Sequence, residues 1–115
     1  MTRILVAESD FSTITDLENF LSDPKFALEF AGSATEAAEI FAEQKFDLVV
    51  VGAVGWEKDR ISVEHFLARV ARAKIPILIL LDDFKKETKK CGLPNCDYLR
   101  KSFSKKDLLA KIRAN

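Results

Sequence analysis

The chain has 115 residues, 48% hydrophobic and 31% charged, and its zero formal charge hides a division: residues 1–84 carry 8 basic and 15 acidic side chains, residues 85–115 carry 10 and 3. That length supports one domain over 1–115 with a core of its own, and the composition excludes disordered and collagen-like chains. No apolar run approaches the roughly 18 residues that span a bilayer, and Met1-Thr-Arg3 leads directly into a strand pattern without a signal peptide, so the expected compartment is the cytoplasm, with no membrane partner.

Arg3-Ile-Leu-Val-Ala7 reads as a first buried strand closed by Glu8-Ser9-Asp10. Ile14, Leu17, Phe20 and Leu21 follow at helical spacing, with Ser12 or Thr13 as the cap and Pro24 as the stop. Phe26, Leu28 and Phe30 alternate with Ala27, Glu29 and Ala31, the pattern of a strand nearer the sheet edge. Ser33-Ala-Thr-Glu36 is a capping-box pattern opening a helix whose inner face is Ala37, Ile40 and Phe41. Asp47-Leu-Val-Val-Val-Gly52 is apolar without alternation, as in a central parallel strand buried on both faces. A polar loop leads to Arg60, and Val63, Phe66, Leu67 and Val70 mark a third helix. Ile75-Pro-Ile-Leu-Ile-Leu-Leu81 is a second central strand, with Pro76 tolerable only at its start. A fourth helix, from Phe84 to Cys91, has little apolar face before Gly92 and Pro94 and is expected to be short or frayed. Asp97-Tyr-Leu-Arg100 is a short fifth strand, and Ser104 caps a last helix burying Leu108, Leu109 and Ile112.

Strands alternating with helices about every 23 residues predict an α/β fold with right-handed crossovers: a single doubly wound, five-stranded parallel sheet of flavodoxin-like type. The order 2-1-3-4-5 places the most apolar strands inside. In such sheets ligands and chemistry sit beyond the carboxyl ends of the strands, so position 52 is where a reactive side chain should stand. A glycine stands there instead.

Over essentially its whole length the chain resembles a response-regulator receiver domain, the CheY-like (βα)5 fold. Asp97-Tyr-Leu-Arg-Lys-Ser-Phe103 is similar to that family's aspartate-tyrosine-x-x-lysine-proline-phenylalanine motif, and Ile4-Leu-Val-Ala-Glu-Ser-Asp10 to its first strand and acidic pair. Asp59 and Ile61 match the loop into the third helix. The resemblance implies Lys101 at the phosphate-binding lysine and Tyr98 at the switch aromatic, with Ser102 in place of the proline. In that family a carboxylate closing strand 3 attacks a phosphohistidine, Mg²⁺ neutralises the clustered acids, and a Ser or Thr closing strand 4 senses the phosphoryl group. Here the same register puts Gly52 at the nucleophile, Leu81 at the Ser/Thr and Ser9 at an acid that touches the metal, with Glu8 and Asp10 left beside Lys101. Trp56 sits where a proline is usual and Arg60 where a glycine is usual.

Glycine has no atom that can carry a phosphoryl group, which excludes nucleophilic catalysis at position 52 and leaves a pseudo-receiver without enzymatic activity. Ser9 is no substitute without a base, and the one histidine, His65, falls on the third helix. Three carboxylates about 5 Å apart repel by roughly 3 kcal/mol per pair at an effective dielectric of about 20, which is what draws a divalent cation to such a cluster. With Gly52 and Ser9 in place, Lys101 alone can balance Glu8 and Asp10, so a direct ion pair is expected, no cofactor, and weak or absent Mg²⁺ binding. Trp56 either covers the vacated pocket or anchors its loop beside Val54. Cys91 and Cys96 fit neither a Cys-x-x-Cys redox motif nor a zinc site, and both are expected to be free thiols in a reducing compartment.

Lys85, Lys86, Lys89, Lys90, Arg100, Lys105, Lys106, Lys111 and Arg113 form the basic end. In receiver domains the surface from helix 4 through strand 5 to helix 5 is an output or dimerisation surface, which implies a signalling protein, of acidic character, or a second copy of the chain as the partner. Nucleic acid is disfavoured, because no stacking aromatics are interleaved and no reading helix is evident. The expected function is a non-phosphorylatable module of two-component-type signalling acting through protein contacts. The alternatives are a receiver phosphorylated at a displaced acceptor, Asp10 or Glu57, and a small-ligand sensor using the same crevice, though no Gly-rich phosphate loop follows strand 1.

Overall fold

The computed structural model describes residues 1–52, 60–81 and 95–114, the side chains of 60, 61 and 114 excepted. In chain order the elements are β1 (Thr2–Ala7), α1 (Phe11–Phe20), β2 (Phe26–Ala31), α2 (Ala34–Glu43), β3 (Leu48–Val51), α3 (Arg60–Arg72), β4 (Ile77–Leu81), β5 (Cys96–Arg100) and α4 (Lys105–Ala114). The five strands form one sheet in the order β2-β1-β3-β4-β5, every pair parallel. This is the architecture expected from the βα alternation. The fourth helix of the sequence reading, Phe84 to Cys91, lies outside the described residues, so α4 here is the last helix of that reading.

The unbroken apolar runs are explained by two cores, one on each face of the sheet. Leu5, Ala7, Val49, Val51, Ile77 and Ile79 point to the side of α2 and α3, where Ala37, Val63, Phe66, Leu67 and Val70 are buried against them. Ile4, Val6, Leu48, Val50, Leu78 and Leu80 point to the other side, toward Leu17, Leu21, Phe103, Leu108 and Ile112. A two-residue side-chain period along strands covered on both faces requires apolar residues at every position. Edge strand β2 contrasts with these: Phe26, Leu28 and Phe30 are only half-buried and Glu29 is exposed.

The helix ends show one correction. The cap of α1 is Asp10, whose Oδ2 accepts hydrogen bonds from the Thr13 backbone N–H at 3.1 Å and the Thr13 hydroxyl at 2.6 Å. Ser12 and Thr13, expected as caps, lie inside the helix. The chain turns directly from β1 into α1, so the helix begins two residues earlier than the apolar spacing suggests. Ser33 and Ser104 do cap α2 and α4, accepting from Glu36 N–H and Asp107 N–H at 3.1 Å each. Cys96 is also corrected: it is disulfide-bonded, and among the described residues no cysteine is free. The free-thiol expectation rested on the compartment, whereas a bridge depends on whether two sulfurs are brought within reach. Cys91 lies outside the described residues.

Candidate functional site

Three chain segments converge at the carboxyl end of the sheet. The β1–β3 ladder extends one step past β3, where Gly52 N–H donates to the Ala7 carbonyl at 2.8 Å. The β4–β5 ladder likewise extends past β5, where Lys101 N–H donates to the Leu81 carbonyl at 2.7 Å. Glu8, just past β1, is held by its own N–H on the Ala31 carbonyl at 3.0 Å. These backbone bonds bring Glu8, Gly52, Leu81 and Lys101 to one rim of the sheet.

Glu8 dominates the geometry. Its side chain is fully buried, and its Oε2 and Oε1 lie 3.4 and 3.5 Å from Lys101 Nζ. Oε1 also accepts a 3.0 Å hydrogen bond from the Asp10 backbone N–H. A Cβ built on Gly52 would stand 1.6 Å from Glu8 Oε2 and 2.6 Å from its Cδ. The Glu8 carboxylate therefore occupies the space that a side chain closing β3 would need.

Asp10 reaches Lys101 less closely, with Oδ2 4.0 Å from Nζ. The Thr13 hydroxyl, more than any other group, holds the Asp10 carboxyl below the usual carboxylate range, aided by the Thr13 N–H and the Lys101 charge and opposed by burial. Ser9 is exposed and Leu81 is half-buried against the α2–α3 core. Tyr98 is also half-buried against that core. Trp56, Glu57 and the lysines at 85, 86, 89 and 90 lie outside the described residues.

No family model matches the chain. It is 32% identical over 114 residues to the response regulator MprA of Mycobacterium sp. strain KMS, and 32% identical over the same length to that of Mycobacterium leprae strain TN; each alignment covers 97% of this chain, and 49% and 50% of the two relatives. The chain thus spans about half the length of the curated relatives it matches. Among solved structures it is similar to the signal receiver domain of an HD domain-containing protein of Pseudomonas fluorescens Pf-5, with a TM-score of 0.78 and 24% identity over 98% of this chain and 85% of that one. It is likewise similar to the chemotaxis response regulator CheY4 of Vibrio cholerae, with a TM-score of 0.77 and 20% identity over 99% of this chain and 98% of that one. The chain has the CheY-like receiver fold.

The receiver fold implies Mg²⁺ among the acids at this rim, and the two carboxylates described there face an ammonium and a helix start. Both oxygens of Glu8 lie within 3.5 Å of an ammonium, and Oδ2 of Asp10 is held by Thr13. Among the described residues no group of three or more His, Cys, Asp or Glu is placed to hold a metal. The Lys101 ammonium faces both carboxylates, 3.4 Å from Glu8 Oε2 and 4.0 Å from Asp10 Oδ2.

The basic end of the chain is only partly a set of open charges. Arg100, Lys105 and Lys106 are exposed, whereas Lys111 reaches from α4 to β5 and contacts the two carboxylate oxygens of Asp97 at 3.1 and 3.2 Å. The sequence reading missed the pairing of Lys111, and it missed that Asp10 is a helix cap. It also missed that Glu8 needs the space beside Gly52. A glycine at the end of a buried strand was the available signal, since glycine there marks a close approach by another group.

Proposed function

We propose that this receiver domain is a pseudo-receiver in a two-component-type pathway, which takes no phosphoryl group at the end of β3 and acts through protein contacts. The observation that supports this reading is Gly52, with the Glu8 carboxylate inside the volume of the absent side chain. A strand-3 nucleophile is missing, and Asp10, a displaced candidate, has one oxygen engaged in capping α1. Mg²⁺ binding is proposed to be weak or absent, because the ammonium of Lys101 already balances the acids. No enzymatic activity is proposed.

The expected location is the cytoplasm; among the described residues no helix is long and apolar enough to cross a membrane. The proposed partner is an acidic signalling protein or a second copy of the chain, docking on the basic face of β5 and α4. Incubation with acetyl phosphate and Mg²⁺, read by intact mass and by tryptophan fluorescence, tests the reading. The expected result is no added phosphoryl mass and no large Mg²⁺-dependent change. Stoichiometric acid-labile phosphorylation on a carboxylate overturns it.

A further inference from the structure

The loss of a nucleophile accounts only for the absence of covalent attachment. It leaves Lys101, whose ammonium is the natural seat for a small oxyanion, to be explained. That ammonium lies 3.4 Å from a carboxylate whose side chain is fully buried. The same carboxylate stands 1.6 Å from the Cβ position of residue 52, where real Cβ atoms essentially never approach closer than 3.0 Å. Glu8 therefore supplies both things that the missing strand-3 acid would have supplied, the volume and the negative charge facing Lys101.

We propose that Glu8 is a built-in ligand for Lys101 that keeps inorganic phosphate and small carboxylates out of the crevice, and that Gly52 is required because only a residue without a side chain leaves Glu8 room. The inference rests on reading residue 52 as the vacated acceptor position, and goes beyond it by naming the occupant. Three features act together. The Asp10 N–H fixes Oε1 from one side, and Lys101 is fixed through its own N–H on Leu81. An incoming anion would face a fixed negative charge next to the Lys101 ammonium.

The test uses the whole chain with the variants Gly52→Ala, Glu8→Ala and their combination, and inorganic phosphate as the probe. Gly52→Ala is expected to lower Tm by about 5 °C or more when Glu8 is present and by much less on Glu8→Ala. Glu8→Ala is expected to bind phosphate at least about tenfold more tightly than the unaltered chain, read by the Lys101 ammonium resonance and thermal shift, with the gain abolished by Lys101→Met. Equal Tm losses in the two backgrounds, or equal phosphate binding with and without Glu8, overturn the inference. Should Glu8→Ala not fold, Glu8→Gln carries the test: phosphate affinity rises because the charge is gone, and unchanged affinity overturns the inference. Phosphoryl mass gained by the unaltered chain overturns the pseudo-receiver reading, whereas phosphate bound equally without mass gain overturns this inference alone.

Discussion

Glu8 and Lys101 form an ion pair whose two members are unequally shielded, the glutamate fully buried and the lysine side chain 17% exposed. Removing one partner of a buried pair leaves the other charge desolvated, which costs about 3–5 kcal/mol, far more than the loss of a surface pair. Lys101→Met is therefore expected to destabilise the fold by about 3 kcal/mol or more, measured by urea denaturation near neutral pH. The next residue, Ser102, has φ of 66°, in the left-handed region. Proline, which the receiver motif carries at this place, fixes φ near −65°. Ser102→Pro, although it restores the family residue, is expected to cost more than about 1 kcal/mol and lower Tm by about 4 °C, because the local backbone has settled into a conformation proline cannot adopt. A differential scanning calorimetry comparison with Ser102→Gly, which tolerates that φ, checks it; a higher Tm for the proline variant contradicts the account.

At the scale of elements, two short connections position the site. Asp10 ends the turn out of β1 and caps α1, so the acidic run after the first strand is also a helix start. Lys111 on α4 holds Asp97 at the start of β5, and Phe103 in the connection between them packs edge-on against Phe20 of α1, with ring centroids 6.0 Å apart. The Tyr98 backbone N–H, the largest cause, and the Lys111 ammonium hold the Asp97 carboxyl below its usual 3.8, against the opposing effect of burial. A carboxyl lowered on folding contributes stability above its usual value and loses it as pH falls through the lowered one. Asp97→Asn is thus expected to flatten the acid limb of the stability curve below about pH 4 while leaving its shape near neutrality unchanged, read from urea midpoints across pH. A steeper acid limb in the variant contradicts the sign. Because both groups are more than a third exposed, the effect is modest.

At the scale of the molecule, exposed basic residues gather in sequence along β5 and the start of α4. The acidic residues at 8 and 10 lie at the carboxyl end of the sheet beside Lys101, while Arg100 stays exposed at the end of β5 and Lys105 and Lys106 at the start of α4. Clustered exposed like charges steer association and make it sensitive to salt. Reversing Arg100, Lys105 and Lys106 to Glu is expected to reduce capture of the proposed partner by about tenfold or more without changing Tm by more than a few degrees. Pull-down against the source proteome with quantitative mass spectrometry, run at low and high salt, checks it. Capture that is unchanged by the reversals places the interaction elsewhere on the domain.

Much of this was legible from residue order alone. The runs Ile4-Leu-Val-Ala7, Leu48-Val-Val-Val51 and Ile77-Leu-Ile-Leu-Leu81 can be buried on both faces only inside a parallel sheet covered by two layers of helices, and the alternation of elements then leaves little freedom of topology. The glycine at 52 and the lysine at 101 could be placed on one rim for the same reason, because strand ends of a parallel sheet share an edge. Which acid faces that lysine was decided in three dimensions. Glu8, Ser9 and Asp10 are consecutive, and residue order cannot say which turns inward; the close turn from β1 into α1 commits Asp10 to the helix cap and swings Glu8 under Gly52. The approach of Glu8 to Gly52 joins a side chain to backbone far along the chain, set by the angle at which segments meet, and no periodicity records that angle.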